Sequence, residues 1–135
     1  MDRSKTLATV SQFLFECIDE NEPGNFIIVD RGEEGPNLYF QFSVSNDENC
    51  DANGELVAEV VGPQFSETGN PEDVVRFGKL LESGWRHEEH GNAAQVFASL
   101  ASLAGVSKAI EETMDAFLSV YPCNGDDGWR VRINE

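Results

Sequence analysis

Three short apolar stretches follow one amphipathic helical stretch and precede another, and this order constrains the fold more than any other feature of the chain. Phe26-Ile27-Ile28-Val29 is continuous and largely β-branched, which predicts a strand apolar on both faces. Leu38 to Val44 alternates, with Leu38, Phe40, Phe42 and Val44 on one side and Tyr39, Gln41 and Ser43 on the other. Glu55 to Val61 repeats the pattern, setting Leu56, Ala58 and Val60 against Val57, Glu59 and Val61. Arg31-Gly32-Glu33-Glu34-Gly35-Pro36 reads as a turn, and Ser45 to Gly54 is a polar loop. Strands joined this way make an antiparallel meander.

Helices flank the meander. Leu7, Val10, Leu14, Cys17 and Ile18 recur at helical spacing, with Phe13 widening the stripe, and predict a helix over roughly 4–20 with Ser4 as its N-cap. Asn21-Glu22-Pro23-Gly24 ends it. Asn70-Pro71-Glu72-Asp73 is a helix start: Asn caps, Pro takes the first helical position, and acids occupy the first turn. Val74, Phe77 and Leu81 carry that helix to about Glu82, and Gly84 closes it. Gly78 inside it costs about 1 kcal/mol against Ala, which suggests close packing there.

Residues 85–104 read two ways. Trp85 to Glu89 and Gln95 to Leu100 could pair across His90-Gly91-Asn92, yet Ala93, Val96, Phe97, Leu100, Ala101 and Ala104 fit a helical period, and local propensity favours helix. A final helix is predicted over roughly 104–121, on Val106, Ile110, Met114, Phe117, Leu118 and Tyr121. Trp129-Arg130-Val131-Arg132-Ile133 then alternates apolar with basic, as a last strand at a sheet edge would. The expected fold class is therefore α+β, an antiparallel sheet packed by helices in one domain spanning 1–135.

Charge narrows the partners. Twenty-five acids against nine Lys and Arg give a formal net charge of −16. Phosphate neutralisation needs a basic face, so nucleic acid is not an expected partner, and neither is an anionic membrane surface. The acids form no block of like charge and are interrupted by apolar strands, unlike a mimic of a DNA backbone. No stretch approaches the roughly 20 apolar residues of a membrane span, and Met1 to Leu7 has no signal-peptide core, so the expected location is cytoplasmic. Cys17, Cys50 and Cys123 are far apart and odd in number, and are expected to be reduced thiols.

Motifs for chemistry are absent. His87-Glu88-Glu89-His90 lacks the four-residue spacing of a zinc protease helix and a third ligand, and reads as a solvated turn. The run Asp47, Asn49, Asp51 and Asn53 resembles a calcium loop only superficially: Ala52 stands at the sixth position and Ala58 at the twelfth, where Gly and a bidentate Glu are required. There is no nucleophile elbow and no phosphate-binding glycine loop. No enzyme activity, metal or cofactor is expected.

The strands nevertheless carry more apolar residues than one buried face needs. Tyr39, Val57 and Val61 point away from the Phe40 face, joined by either Phe26 and Ile28 or Ile27 and Val29. Either helices or the chain termini cover both faces, or one face is left as an apolar patch for a partner or a second copy.

Leu38-Tyr39-Phe40-Gln41-Phe42, Glu55 to Val61 and Leu80-Leu81-Glu82-Ser83-Gly84-Trp85 together resemble the TY-Chap and YbjN-like domains of bacteria, over roughly residues 25–121. The family is similar in fold to the small, acidic, usually dimeric chaperones of type III secretion. The resemblance implies the order helix, three strands, helix, two strands, helix, which makes 85–89 and 95–100 a strand pair. It also implies an extended client held against apolar surface, often by strand pairing. Asn92 is followed here by Ala93-Ala94 where the family often has aromatics. The resulting expectation is a non-enzymatic, chaperone-like or adaptor domain. Its partner is a protein client or a second copy in a homodimer, bound through Phe26, Ile28, Tyr39, Val57 and Val61. The alternative expectation is an immunity or inhibitor protein that neutralises a basic toxin or nuclease.

Overall fold

The computed structural model describes residues 1–19, 25–45, 55–66, 69–97 and 102–134. Helix α1 (Arg3–Asp19) buries Thr6, Val10, Leu14, Cys17 and Ile18 along one stripe. It starts earlier than expected because Asp2, rather than Ser4, caps it: the Asp2 carboxylate accepts from the Lys5 N–H at 2.7 Å. Strands β1 (Phe26–Asp30), β2 (Tyr39–Ser45) and β3 (Glu55–Val60) form the expected meander. A short helix, α2 (Pro63–Ser66), leads to α3 (Pro71–Glu82), where the Asn70 side chain accepts from the Glu72 N–H at 3.0 Å. Gly84, at φ +118°, turns the chain out of α3 in a conformation that L side chains rarely adopt. The close packing expected at Gly78 is absent, for a Cβ built there meets nothing within 4 Å.

Residues 86–87 and 93–97 are strand, not helix. Strand β4 (Arg86–His87) and strand β5 (Ala93–Phe97) form a hairpin, and β5 pairs along β3 from Val60↔Ala93 to Leu56↔Phe97. The helical period of Ala93, Val96 and Phe97 yields to the unpaired edge that β3 would otherwise expose. Gly62 seats the hairpin turn. Its N–H donates to Asn92 Oδ1 at 2.9 Å, and a Cβ there would lie 2.1 Å from the Gly91 carbonyl oxygen. Helix α4 (Leu103–Val120), capped by Ser102, and the C-terminal strand β6 (Arg130–Ile133) complete the chain.

The sheet is antiparallel throughout, in the order β4-β5-β3-β2-β1-β6. Helix α4 packs over β2 and β3, with α1 and α3 beside it. Ile27, Val29, Phe40, Phe42, Leu56, Ala58 and Val60 meet it from the sheet, all fully buried. An aromatic group centres this core: Phe40 lies 5.5 Å from Phe117 and 5.7 Å from Trp129, ring centre to ring centre. The Trp129 Nε1–H donates to the Gly125 carbonyl at 2.8 Å. Strand β6 is fastened by Asp30, whose fully enclosed carboxylate accepts from Arg130 Nη2 at 2.9 Å and Arg132 Nε at 2.8 Å.

Candidate protein-binding face

Period-two alternation sends the remaining strand residues to the opposite face of the sheet, and no described helix lies on it. Register fixes what lies side by side there. Phe26 pairs with Ser43, Ser43 with Val57, and Val57 with Val96, so one row crosses four strands with three apolar side chains. The next row runs Arg132, Ile28, Gln41, Glu59 and Ala94 to Arg86. A third holds Arg130, Asp30 and Tyr39.

Four of the five residues singled out from sequence thus share this face. Phe26, Ile28 and Val57 are partly buried on it and are not packed into the core. Tyr39 is on the same side but leans against the rim of the core. Val61 is a correction. It follows the last residue of β3, is 0 % exposed and belongs to the core, so it offers no surface to a partner. Its carbonyl accepts the Tyr121 hydroxyl at 2.6 Å. Burial pushes the Tyr121 phenol well above its ordinary range, and that hydroxyl stays a neutral donor.

Val96, 41 % exposed, completes the apolar row and was missed because residues 93–104 read locally as helix. A strand alternation of Ala94 and Val96 against Ala93, Gln95 and Phe97 was its only signal, muted by two alanines. The polar part of the face is held by hydrogen bonds. Glu59 accepts from Gln41 Nε2 at 2.7 Å and lies 2.7 Å from His90 Nε2.

The face also meets an open edge. Strand β4 pairs only with Ala93 and Ala94, so Gln95 to Phe97 have no strand beside them on that side among the described residues. The opposite edge, β6, is guarded by Arg130 and Arg132, as charged edge residues discourage pairing. The two halves of the sheet therefore differ: apolar and open at β5, charged and guarded at β6.

The other candidates stay apart. His87 is exposed and meets Phe77 edge to face, ring centres 5.7 Å apart, while His90 turns toward Glu59 on the other side of the hairpin. No group of three or more metal-ligating side chains occurs among the described residues. Cys17 is buried and Cys123 exposed, and neither is in a disulfide. Cys50 and the calcium-like run at 47–53 lie outside the described residues. No described helix is long and apolar enough to cross a membrane. Comparison with family models, curated proteins and solved structures gave no match.

Proposed function

We propose that this chain is a non-enzymatic protein-binding domain, chaperone-like or adaptor, that holds an extended client segment on the open sheet face. The observation that carries the reading is the row Phe26, Ser43, Val57 and Val96, uncovered by any described helix and ending at the stretch Gln95 to Phe97, whose outer edge no described strand pairs. A client strand laid along that stretch gains main-chain hydrogen bonds there, and its alternate side chains reach Val96 and Val57. Affinity comes from apolar burial, about 25 cal/mol for each Å² removed from water, less the cost of ordering the segment. The formal charge of −16 favours a client with basic flanks and speeds the encounter at low salt. The resemblance to TY-Chap and YbjN-like domains agrees with a holding role in the bacterial cytoplasm.

The test compares the intact chain with Val57→Asp/Val96→Asp, and with Tyr39→Asp/Val57→Asp, as baits in lysate of its own cells. A partner identified by mass spectrometry is then titrated as a purified protein. The reading expects at least a tenfold loss of affinity in the first pair with an unchanged circular-dichroism spectrum, since an unpaired carboxylate buried in an apolar contact costs more than 1.4 kcal/mol. Unchanged affinity would place the partner elsewhere. A folded basic toxin bound one to one, indifferent to both pairs, would establish an immunity protein instead. A dimer that both pairs dissociate would make the occupant a second copy.

A further inference from the structure

A cavity of about 490 Å³ opens away from the proposed face, between the loop after β1, the first turns of α3 and the C-terminal end of α4. Its volume falls within the roughly 300–1,000 Å³ typical of small-molecule sites. Arg31 and Arg76 line it, with Asp73, Leu38 and Pro122 among the other walls.

Arg31 is unusual in this chain. Arg3, Arg76, Arg86, Arg130 and Arg132 each pair with a carboxylate. Among the described residues Arg31 has no such partner, in a protein with 25 acids and nine bases. It is instead clamped. Its guanidinium carbon sits 4.2 Å from the centre of the Trp129 ring, and Nη2 donates to the Asn124 carbonyl at 2.9 Å. Nη1 is shielded from solvent and has no hydrogen-bond partner. A cationic donor left unmade in a wall is costly, and a fixed planar guanidinium is the side chain best shaped to take an oxyanion.

Arg76 is held from the other element. Its Nε donates to the Val120 carbonyl at 2.7 Å, Nη2 donates to buried Asp73, and Nη1 reaches Glu72 at 3.4 Å. Three of its five N–H groups are engaged in this way, which leaves donors for a ligand. Two guanidinium charges face two carboxylates, Asp73 enclosed and Glu72 exposed and screened by solvent, so at most one positive charge is left at the cavity. A phosphate dianion overshoots that balance and would face Asp73. The apolar walls at Leu38 and Pro122 suit a hydrocarbon or aryl body.

We infer that this cavity binds a small organic monocarboxylate, its carboxylate held by Arg31 and Arg76 and its apolar body laid against Leu38 and Pro122. The site is independent of client binding, since none of Phe26, Ile28, Val57 and Val96 lines it.

The test is an NMR titration of the whole chain with benzoate, and with benzyl alcohol and inorganic phosphate as the neutral and dianionic comparisons. The indole signal of Trp129 reports on Arg31, and that of Trp85 serves as the internal control. Benzoate should shift the Trp129 signal saturably and leave Trp85 still, with benzyl alcohol and phosphate each at least tenfold weaker. Arg31→Met should weaken benzoate by at least about tenfold, the ordinary cost of losing charged hydrogen bonds. Should that variant not fold, Cys123→Phe blocks the cavity from an exposed lining position and should have the same effect. No saturable shift with benzoate, a shift that survives blocking, or equal binding of either comparison compound would overturn the assignment.

Discussion

Replacing Asp30 with Asn removes one charge and no volume, and it tests what holds β6 on the sheet. The Asp30 carboxylate is 0 % exposed and accepts from the Gly32 N–H at 2.7 Å, from Arg130 Nε at 3.0 Å and Nη2 at 2.9 Å, and from Arg132 Nε at 2.8 Å. An amide in its place turns one acceptor into a donor facing guanidinium N–H groups. Breaking an ion pair buried on both sides costs about 3–5 kcal/mol. Here the Arg130 and Arg132 side chains keep 41 % and 29 % exposure, so water goes on solvating them and the cost falls to about 2–3 kcal/mol. For a chain of this size that lowers the Tm by about 8 °C. Thermal and urea unfolding followed by circular dichroism measure it, and hydrogen exchange should quicken first in 130–133, which join the sheet through β1 alone. A loss below about 1 kcal/mol, or unchanged exchange in β6, would refute the assignment of β6 anchoring to Asp30.

Two further outcomes follow from local geometry. Gly78→Ala should stabilise the chain by about 1 kcal/mol in urea unfolding, because the new methyl meets nothing within 4 Å and helix propensity alone decides the sign. Tyr121 should resist ionisation: its phenol is raised by burial, so the neutral form stabilises the fold fully below the unfolded phenol value of about 10. That contribution is lost as pH climbs above 10 toward the folded value. In a Tyr39→Phe background, ultraviolet titration should show phenolate appearing together with unfolding, and phenolate formed in the folded chain would contradict it.

The parts of the fold legible in sequence are those whose local chemistry and tertiary role agree. Phe40, Phe42 and Val44 alternate because one side of β2 meets α4, and Asn70-Pro71 starts α3 whatever it packs against. At β5 the two disagree. Ala93 and Ala94 are almost wholly enclosed, small side chains in the sheet at a site where propensity asks for helix, and only pairing with β3 settles the matter. The same error hid Val96 from the candidate face. Val61 was misplaced for a complementary reason. Alternation carries it to the open side, but Gly62 ends the strand and the chain bends there, against the Asn92 turn. The choice between Phe26 with Ile28 and Ile27 with Val29 needed register, since a continuously apolar strand carries no alternation to read.

The arginines show a further limit of sequence. Nine bases scattered through an acidic chain gave no sign that Arg31 and Arg76, 45 positions apart, meet at one cavity while Arg130 and Arg132 meet at one carboxylate. Both arrangements depend on long-range packing: the first on where α3 and α4 meet the loop after β1, the second on β6 returning to β1.

The most direct test of the binding reading is hydrogen exchange on the chain, free and with its client bound. The account predicts new protection at Gln95 to Phe97, where main-chain pairing with the client forms, and none on α1. Protection confined to the helical side or to the loops around Arg31 and Cys123, with Gln95 to Phe97 unchanged, would contradict it.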